Sequence, residues 1–480
     1  MIMAWVCERA SGQCLVTGVT RCHQVSHQVH SARCEVNPPG FSAMAFPKCR
    51  IWNLLLLLLL AVVVFVVHQS ELSFDISPPV WTTFSRKLDL VMTGRSSGTN
   101  PTGWAQEVNS MVFSKARYNS TVTLMRPTKV ESEQGTNPET PMPILRPKNF
   151  SKTPVWDFDD VYNQDAAPRQ STCQESVRDS QDESFRKGFL PNIRLFLYKD
   201  NINMSEWNRL SHFNHPYGFM GFAYDEVMPS VKLIPRPQEP LFEPKPGGNG
   251  CIRCAVVGNA GILNGSKMGK EIDAHDFIFR MNGAVIEGYE TDVGKKTSVY
   301  VHTAHTITTS MSNDNKNIPH NQGIKYVMIP ANLRDFQFLG GLLKGEIVPV
   351  GEFKNTRPRM YYRGQYNESR FYVLHQDFLR YLRNRFLYSP SLAKKHWASF
   401  RPTTGAITIF LALHTCDQVD AYGFMTEDHA KYSNYYYERE QKDVPVVSSH
   451  DIWMEMKLWK QLHDGKVIRL YQRLEQKPLI

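Results

Sequence analysis

Apolar residues fall into three regimes along the chain. Ile51–Val67 is one uncharged run of 17 residues. From 68 to 170 the chain turns rich in Ser, Thr, Pro and Asn, with few apolar runs, and reads as a stem too polar to offset the entropy of ordering. From about Phe189 onward, short apolar runs alternate with longer periodic ones. Ala255–Val257, Phe277–Met281, Ser298–Val301 and Tyr326–Ile329 read as buried strands, Val419–Tyr422 and Val467–Leu470 as late strands. Tyr372–Phe386, Thr404–His414 and Ile452–Leu462 read as helices. Alternation at this spacing predicts an α/β domain with a mostly parallel central sheet flanked by helices, over 171–480.

At roughly 1.5 Å per residue the Ile51–Val67 helix spans roughly 25 Å, enough for a thin bilayer. Lys48 and Arg50 precede it and Glu71 and Asp75 follow it, which places residues 1–50 in the cytosol and the rest in the lumen. No small-x-small cleavage site follows, so an uncleaved anchor is expected, with a length suited to the thinner membranes of the early secretory pathway. Met44-Ala-Phe-Pro-Lys-Cys-Arg would be an ordinary start for such an anchor, which makes residues 1–43 an upstream extension.

The chain has 480 residues and a formal charge of +9. The basic residues are scattered without interleaved aromatics, which points away from nucleic acid. Of nine cysteines, five precede the anchor, and Cys173, Cys251, Cys254 and Cys416 are luminal. Four allow three pairings. Cys251 and Cys254 point to opposite faces of a strand-like run, so they take different partners. Sequons stand at Asn119, Asn149, Asn203, Asn264 and Asn367 as glycan acceptors. Asp157-Phe-Asp159 has the Asp-x-Asp form that holds a divalent cation in many nucleotide-sugar enzymes, but it sits in polar linker, which argues against a metal role.

Candidate chemistry gathers at three places. Ala255-Val-Val-Gly258-Asn259-Ala-Gly261 runs a strand into a tight glycine turn, where a ligand can approach the backbone. Asn282 ends the next strand and would face the same crevice. Pro402-Thr403-Thr404-Gly405 opens an apolar helix, and its free amides would suit an anion. His450 begins another helix as a candidate general base, with Glu455 on a different face as a core-side hydrogen-bond partner. The aromatic run Tyr432–Tyr437 lies between them.

Together these blocks resemble the sialyl motifs of animal sialyltransferases, glycosyltransferase family 29. The resemblance rests on Cys-x-x-Cys-Ala-Val-Val-Gly-Asn, on Cys-Asp-Gln-Val-Asp-x-Tyr-Gly-Phe and on His450-x4-Glu455. His212-Phe-x3-Tyr-Gly-Phe-Met-Gly221, Arg401–Ala406 and Arg469-Leu-Tyr-Gln-Arg473 are similar to the GalNAc α-2,6 members. The resemblance implies a GT-A-like (Rossmann-type) domain, CMP-sialic acid as donor and O-linked GalNAc glycoproteins as acceptors. It also implies inverting transfer to the 6-hydroxyl without a metal or other cofactor, and a single-pass Golgi membrane protein with a luminal catalytic domain. It makes His450 the base, sets Asn259, Asn282, Thr403, Thr404, Gly405 and Phe424 on the donor, and pairs Cys254 with Cys416, leaving Cys173 with Cys251. The third motif usually carries a His before a Tyr pair; here Tyr435 stands in that place, beside Tyr436, on the acceptor or phosphate side. The competing expectations are another acceptor or linkage, or a membrane-anchored sialoside- or nucleotide-binding protein that has lost catalysis.

Overall fold

The structure, a computed structural model, describes residues 139–165, 171–312, 318–442, 444 and 449–473. The Ile51–Val67 run and Asn119 lie outside them; among the described residues no helix is long and apolar enough to cross a membrane. Seven strands form one sheet: β1 Arg253–Val257, β2 Phe277–Met281, β3 Val299–His302, β4 Lys325–Met328, β5 Phe371–Val373, β6 Gln418–Tyr422 and β7 Arg469–Leu470. Their order is β5-β4-β3-β2-β1-β6-β7, and every pairing is parallel. The inner strands β1 to β4 are buried almost end to end, as a sheet covered on both faces requires.

The helices that matter for the site are α1 Tyr224–Val231, α2 Ala304–Ser312, α3 Leu333–Lys344, α4 Gln376–Arg385, α5 Thr404–Thr415 and α6 Ile452–Asp464. α5 is buried on every side from Ala406 to His414 and packs beneath β1, β2 and β6, which is why its sequence is apolar throughout. Asp335 joins two helix starts: one carboxylate oxygen accepts from Ala304 N at 2.8 Å and the other from Asn332 N at 2.7 Å. The Cys254–Cys416 disulfide fixes β1 to the end of α5, and Cys173–Cys251 ties down the segment before β1.

Two readings of the sequence need correction. The helix expected over Tyr372–Phe386 is strand β5 followed by α4. The break is at His375, whose Nδ1 accepts from Asp377 N at 3.0 Å as the helix cap, so the residues before it stay extended and pair with β4. The stem, expected to run unpacked through residue 170, is in its described part, 139–165, a strap laid against α4. Arg383 Nη1 meets Asp157 Oδ2 at 2.7 Å with both side chains fully buried, and Arg383 Nη2 donates to Asp157 O at 2.8 Å. Arg380 Nη1 donates to Asp159 O at 2.6 Å. Farther along the strap, Trp397 Nε1 donates to Phe150 O and Thr153 Oγ1 to Leu392 O. The two guanidiniums also lie over aromatic faces, Arg383 at 4.0 Å from the Tyr217 ring centre and Arg380 at 4.1 Å from that of Phe213. Asp157 of the Asp-x-Asp pair is thus the counter-ion of Arg383; burial raises its pKa and the arginine opposes the rise.

Candidate active site

The chain winds outward from β1 to β5 and then returns to place β6 on the other side of β1. In such sheets the crevice for ligands opens at the carboxyl ends of the strands where the order reverses. Here those ends are Gly258 after β1 and Gly423 after β6. Gly258 N donates to Tyr422 O at 2.7 Å and Ala260 N to Gly423 O at 2.9 Å. A Cβ on Gly258 would stand 2.5 Å from Gly423 O; one on Gly423, whose φ is +69°, would stand 2.6 Å from Gly258 O. Neither position admits a side chain, so the crevice floor is main chain.

The candidate donor residues meet above this floor. Phe424, 7% exposed, lies with its ring 3.4 Å from a Cβ position on Gly258 and 3.1 Å from one on Gly405, and rests edge-on against Trp459. Asn259 Nδ2 donates to Met281 O at 3.3 Å, and Asn259 O accepts from Tyr436 N. Asn282, directly after Met281, holds a left-handed φ of +53°. The Tyr300 hydroxyl, donating to Asn282 O at 2.5 Å, pins it there, and Asn282 Oδ1 is buried without a partner. A buried acceptor left open at the mouth of a crevice is suited to a ligand's donor.

Thr403 is the N-cap of α5, its Oγ1 accepting from Ala406 N at 3.1 Å. Helix geometry leaves the Thr404 and Gly405 amides without an intrahelical acceptor, facing an anion with the positive end of the helix. Glu455 holds the cap from α6: Oε1 accepts from Thr403 N at 2.8 Å and Oε2 from Thr403 Oγ1 at 2.6 Å. Burial pushes the Glu455 carboxyl up to about 7, against the pull of those two donors.

His450 stands just ahead of α6. Its Nδ1 lies 2.8 Å from the Arg401 carbonyl, which can only accept, so Nδ1 carries the proton and Nε2 keeps its lone pair. Burial lowers the imidazole pKa and the Arg401 charge lowers it further, while the carbonyl contact opposes both. The result is a neutral, oriented base.

Tyr436 is buried and donates its hydroxyl to Val285 O at 2.5 Å. Tyr435 is 42% exposed and stacks on Tyr437 at 5.3 Å. Of the sequons, Asn149, Asn203, Asn264 and Asn367 are exposed. Three residues escaped the sequence reading: Tyr300 behind Asn282, Arg401 beside His450, and the exposed Trp453, held edge-on by His429 at 5.1 Å. Arg401 is part of a motif and could have been weighed as an anion partner; nothing in the sequence brings Tyr300 to Asn282.

The profile described as glycosyltransferase family 29 (sialyltransferase) matches residues 196–467. The chain is 46% identical over 342 residues to alpha-N-acetylgalactosaminide alpha-2,6-sialyltransferase 1 of Gallus gallus, covering 68% of this chain and 60% of the relative. It is 41% identical to the Homo sapiens protein of the same name, covering 75% and 64%. Against alpha-N-acetylgalactosaminide alpha-2,6-sialyltransferase 2 of Mus musculus the identity is 40%, covering 63% of this chain and 83% of the relative. The chain thus spans less than two thirds of the two type 1 relatives. A solved structure titled "Crystal Structure of a Mammalian Sialyltransferase" aligns over 64% of this chain and all of that one, with 24% identity and a TM-score of 0.47. The profile match covers more than half the chain, and on that ground the chain belongs to glycosyltransferase family 29, the sialyltransferases.

Proposed function

We propose that the chain transfers a sialyl group from CMP-sialic acid to the 6-hydroxyl of GalNAc linked to Ser or Thr of glycoproteins. The observation that carries this reading is the neutral His450, its Nδ1 fixed on Arg401 O, beside the capped start of α5. The α-2,6 linkage and the GalNAc acceptor rest on what the relatives are named for. In this reading His450 Nε2 takes the proton of the acceptor hydroxyl as its oxygen bonds to the anomeric carbon of the sialyl group. The bond from that carbon to the phosphate oxygen breaks on the opposite face, so the configuration inverts, and CMP leaves. Its phosphate is stabilised by the first amides of α5. Phe424, Asn259, Asn282, Thr403, Thr404 and Gly405 hold the donor. A phosphate monoester leaving group carries less charge than a diphosphate, and the reading assigns no metal or cofactor. The same reading makes the chain a Golgi type II protein anchored at 51–67.

The test incubates the full chain with CMP-sialic acid, a GalNAc-Ser/Thr glycopeptide and EDTA, and reads product mass and linkage. A 2,6-sialyl product in EDTA is the expected result. Product only with added metal removes the metal-free mechanism, and product of another linkage removes the acceptor assignment. The reading of a binder without turnover is favoured by Tyr435, whose exposed ring stacks on Tyr437. It predicts CMP binding and no product across a broad acceptor panel.

A further inference from the structure

Arg401 stands between the two halves of the site. Its N–H donates to Ser449 O at 2.9 Å and its carbonyl accepts from His450 Nδ1, so its main chain is stitched to the base. Two residues further on, Thr403 caps α5. The side chain is half-buried, and among the described residues its guanidinium donates to no acceptor and touches no carboxylate. Its positive field reaches His215, His305 and Asp335, which come from three separate segments and place the guanidinium near the starts of α2 and α3. Asp335 is already occupied by the Ala304 and Asn332 amides. Arg334 adds a second cation there, its Nη1 paired with Glu352 at 2.7 Å. A half-buried cation left without a contacting anion is costly, and a ligand that brings the anion removes the cost.

The donor assigned above brings one. Sialic acid carries a carboxylate on its anomeric carbon, the atom from which the phosphate departs and to which the hydroxyl adds. A group that holds this carboxylate must therefore lie between the phosphate site and the base, the interval that Arg401 occupies between Thr403 and His450. We propose that Arg401 holds the carboxylate of a bound substrate beside His450, the donor's sialyl carboxylate in the first instance; this rests on the sialyltransferase reading. The other source of the same chemistry is an acidic residue of the acceptor peptide.

The test measures binding of CMP and of CMP-sialic acid to the full chain and to its Arg401→Gln and Arg401→Lys variants, alongside transfer to glycopeptides with and without Asp or Glu next to the glycosylated residue. The expected result is unchanged CMP affinity in Arg401→Gln and CMP-sialic acid affinity weakened about thirtyfold, the size of a charge-assisted hydrogen bond. Arg401→Lys should recover most of it. A loss seen only in transfer to acidic glycopeptides assigns the carboxylate to the acceptor. Equal weakening of CMP and CMP-sialic acid, or no change with either donor or any acceptor, overturns the proposal. A wild-type chain that binds both ligands and forms no product overturns the transfer reading instead, and the binding comparison still decides the role of Arg401.

Discussion

The proton on His450 has one place to go. Nδ1 holds it against Arg401 O, and the depressed pKa keeps the ring neutral at pH values where an ordinary histidine begins to charge. A base must be neutral to act, so activity is full above the folded-state pKa and falls as pH drops through it. The acidic limb of kcat/KM is therefore expected below pH 6.5, the ordinary histidine value; a limb at or above that value would take His450 out of the role. His450→Ala should lower kcat about 100- to 10,000-fold and leave CMP affinity intact. Glu455 titrates in the opposite sense to most carboxyls. Its folded pKa of about 7 lies above its ordinary 4.5, so the folded state holds an extra proton between these values and stability falls as pH rises from 4.5 to 7. Glu455→Gln should remove that slope in urea unfolding at pH 5 and pH 7.5. A slope that persists would place the titration elsewhere.

At the level of elements, the strap and the disulfide join segments that local sequence leaves unrelated. Asp157 and Arg383 stand 226 residues apart and meet fully buried, so removing one partner strands the other's charge. Asp157→Ala should cost about 3–5 kcal/mol, and the double variant Asp157→Leu/Arg383→Met much less, in a double-mutant cycle of thermal unfolding. Additive losses would show that the two residues do not act as a pair. Cys254→Ser opens a bond between residues 162 apart and should cost about 5 kcal/mol by the chain-entropy account, read as lost secretion or a lower Tm. What the sequence disclosed at this scale follows from locality. β2, α5 and α6 showed themselves because burial imposes a period on consecutive residues, and the Gly258 turn because glycine marks a backbone constraint. The strap hid because its residues are polar and its partners remote. The boundary between β5 and α4 hid because a buried strand and a buried helix joined end to end leave one unbroken apolar stretch, and only the His375 cap divides them. The Thr403–Glu455 pair hid for the same reason as the strap: each residue has an ordinary local role, one as a cap and one in a helix.

For the whole molecule, the strap sets where the catalytic unit begins. A chain starting at residue 171 leaves Arg380 and Arg383 buried without Asp157 and the carbonyl of Asp159. It is expected to aggregate or stay unsecreted, whereas one starting before residue 139 should fold; equal secretion of the two would show the strap to be dispensable. The Gly258–Gly423 floor has a longer reach. A lineage alters an enzyme by exchanging side chains one at a time, and at the floor there are none to exchange, since both positions exclude even a methyl group. That part of the crevice is closed to gradual tuning. Descendants of such a protein can acquire new acceptors only through the surrounding rim, at positions such as Trp453 and Tyr435 that already face solvent, while the nucleotide end stays as it was inherited.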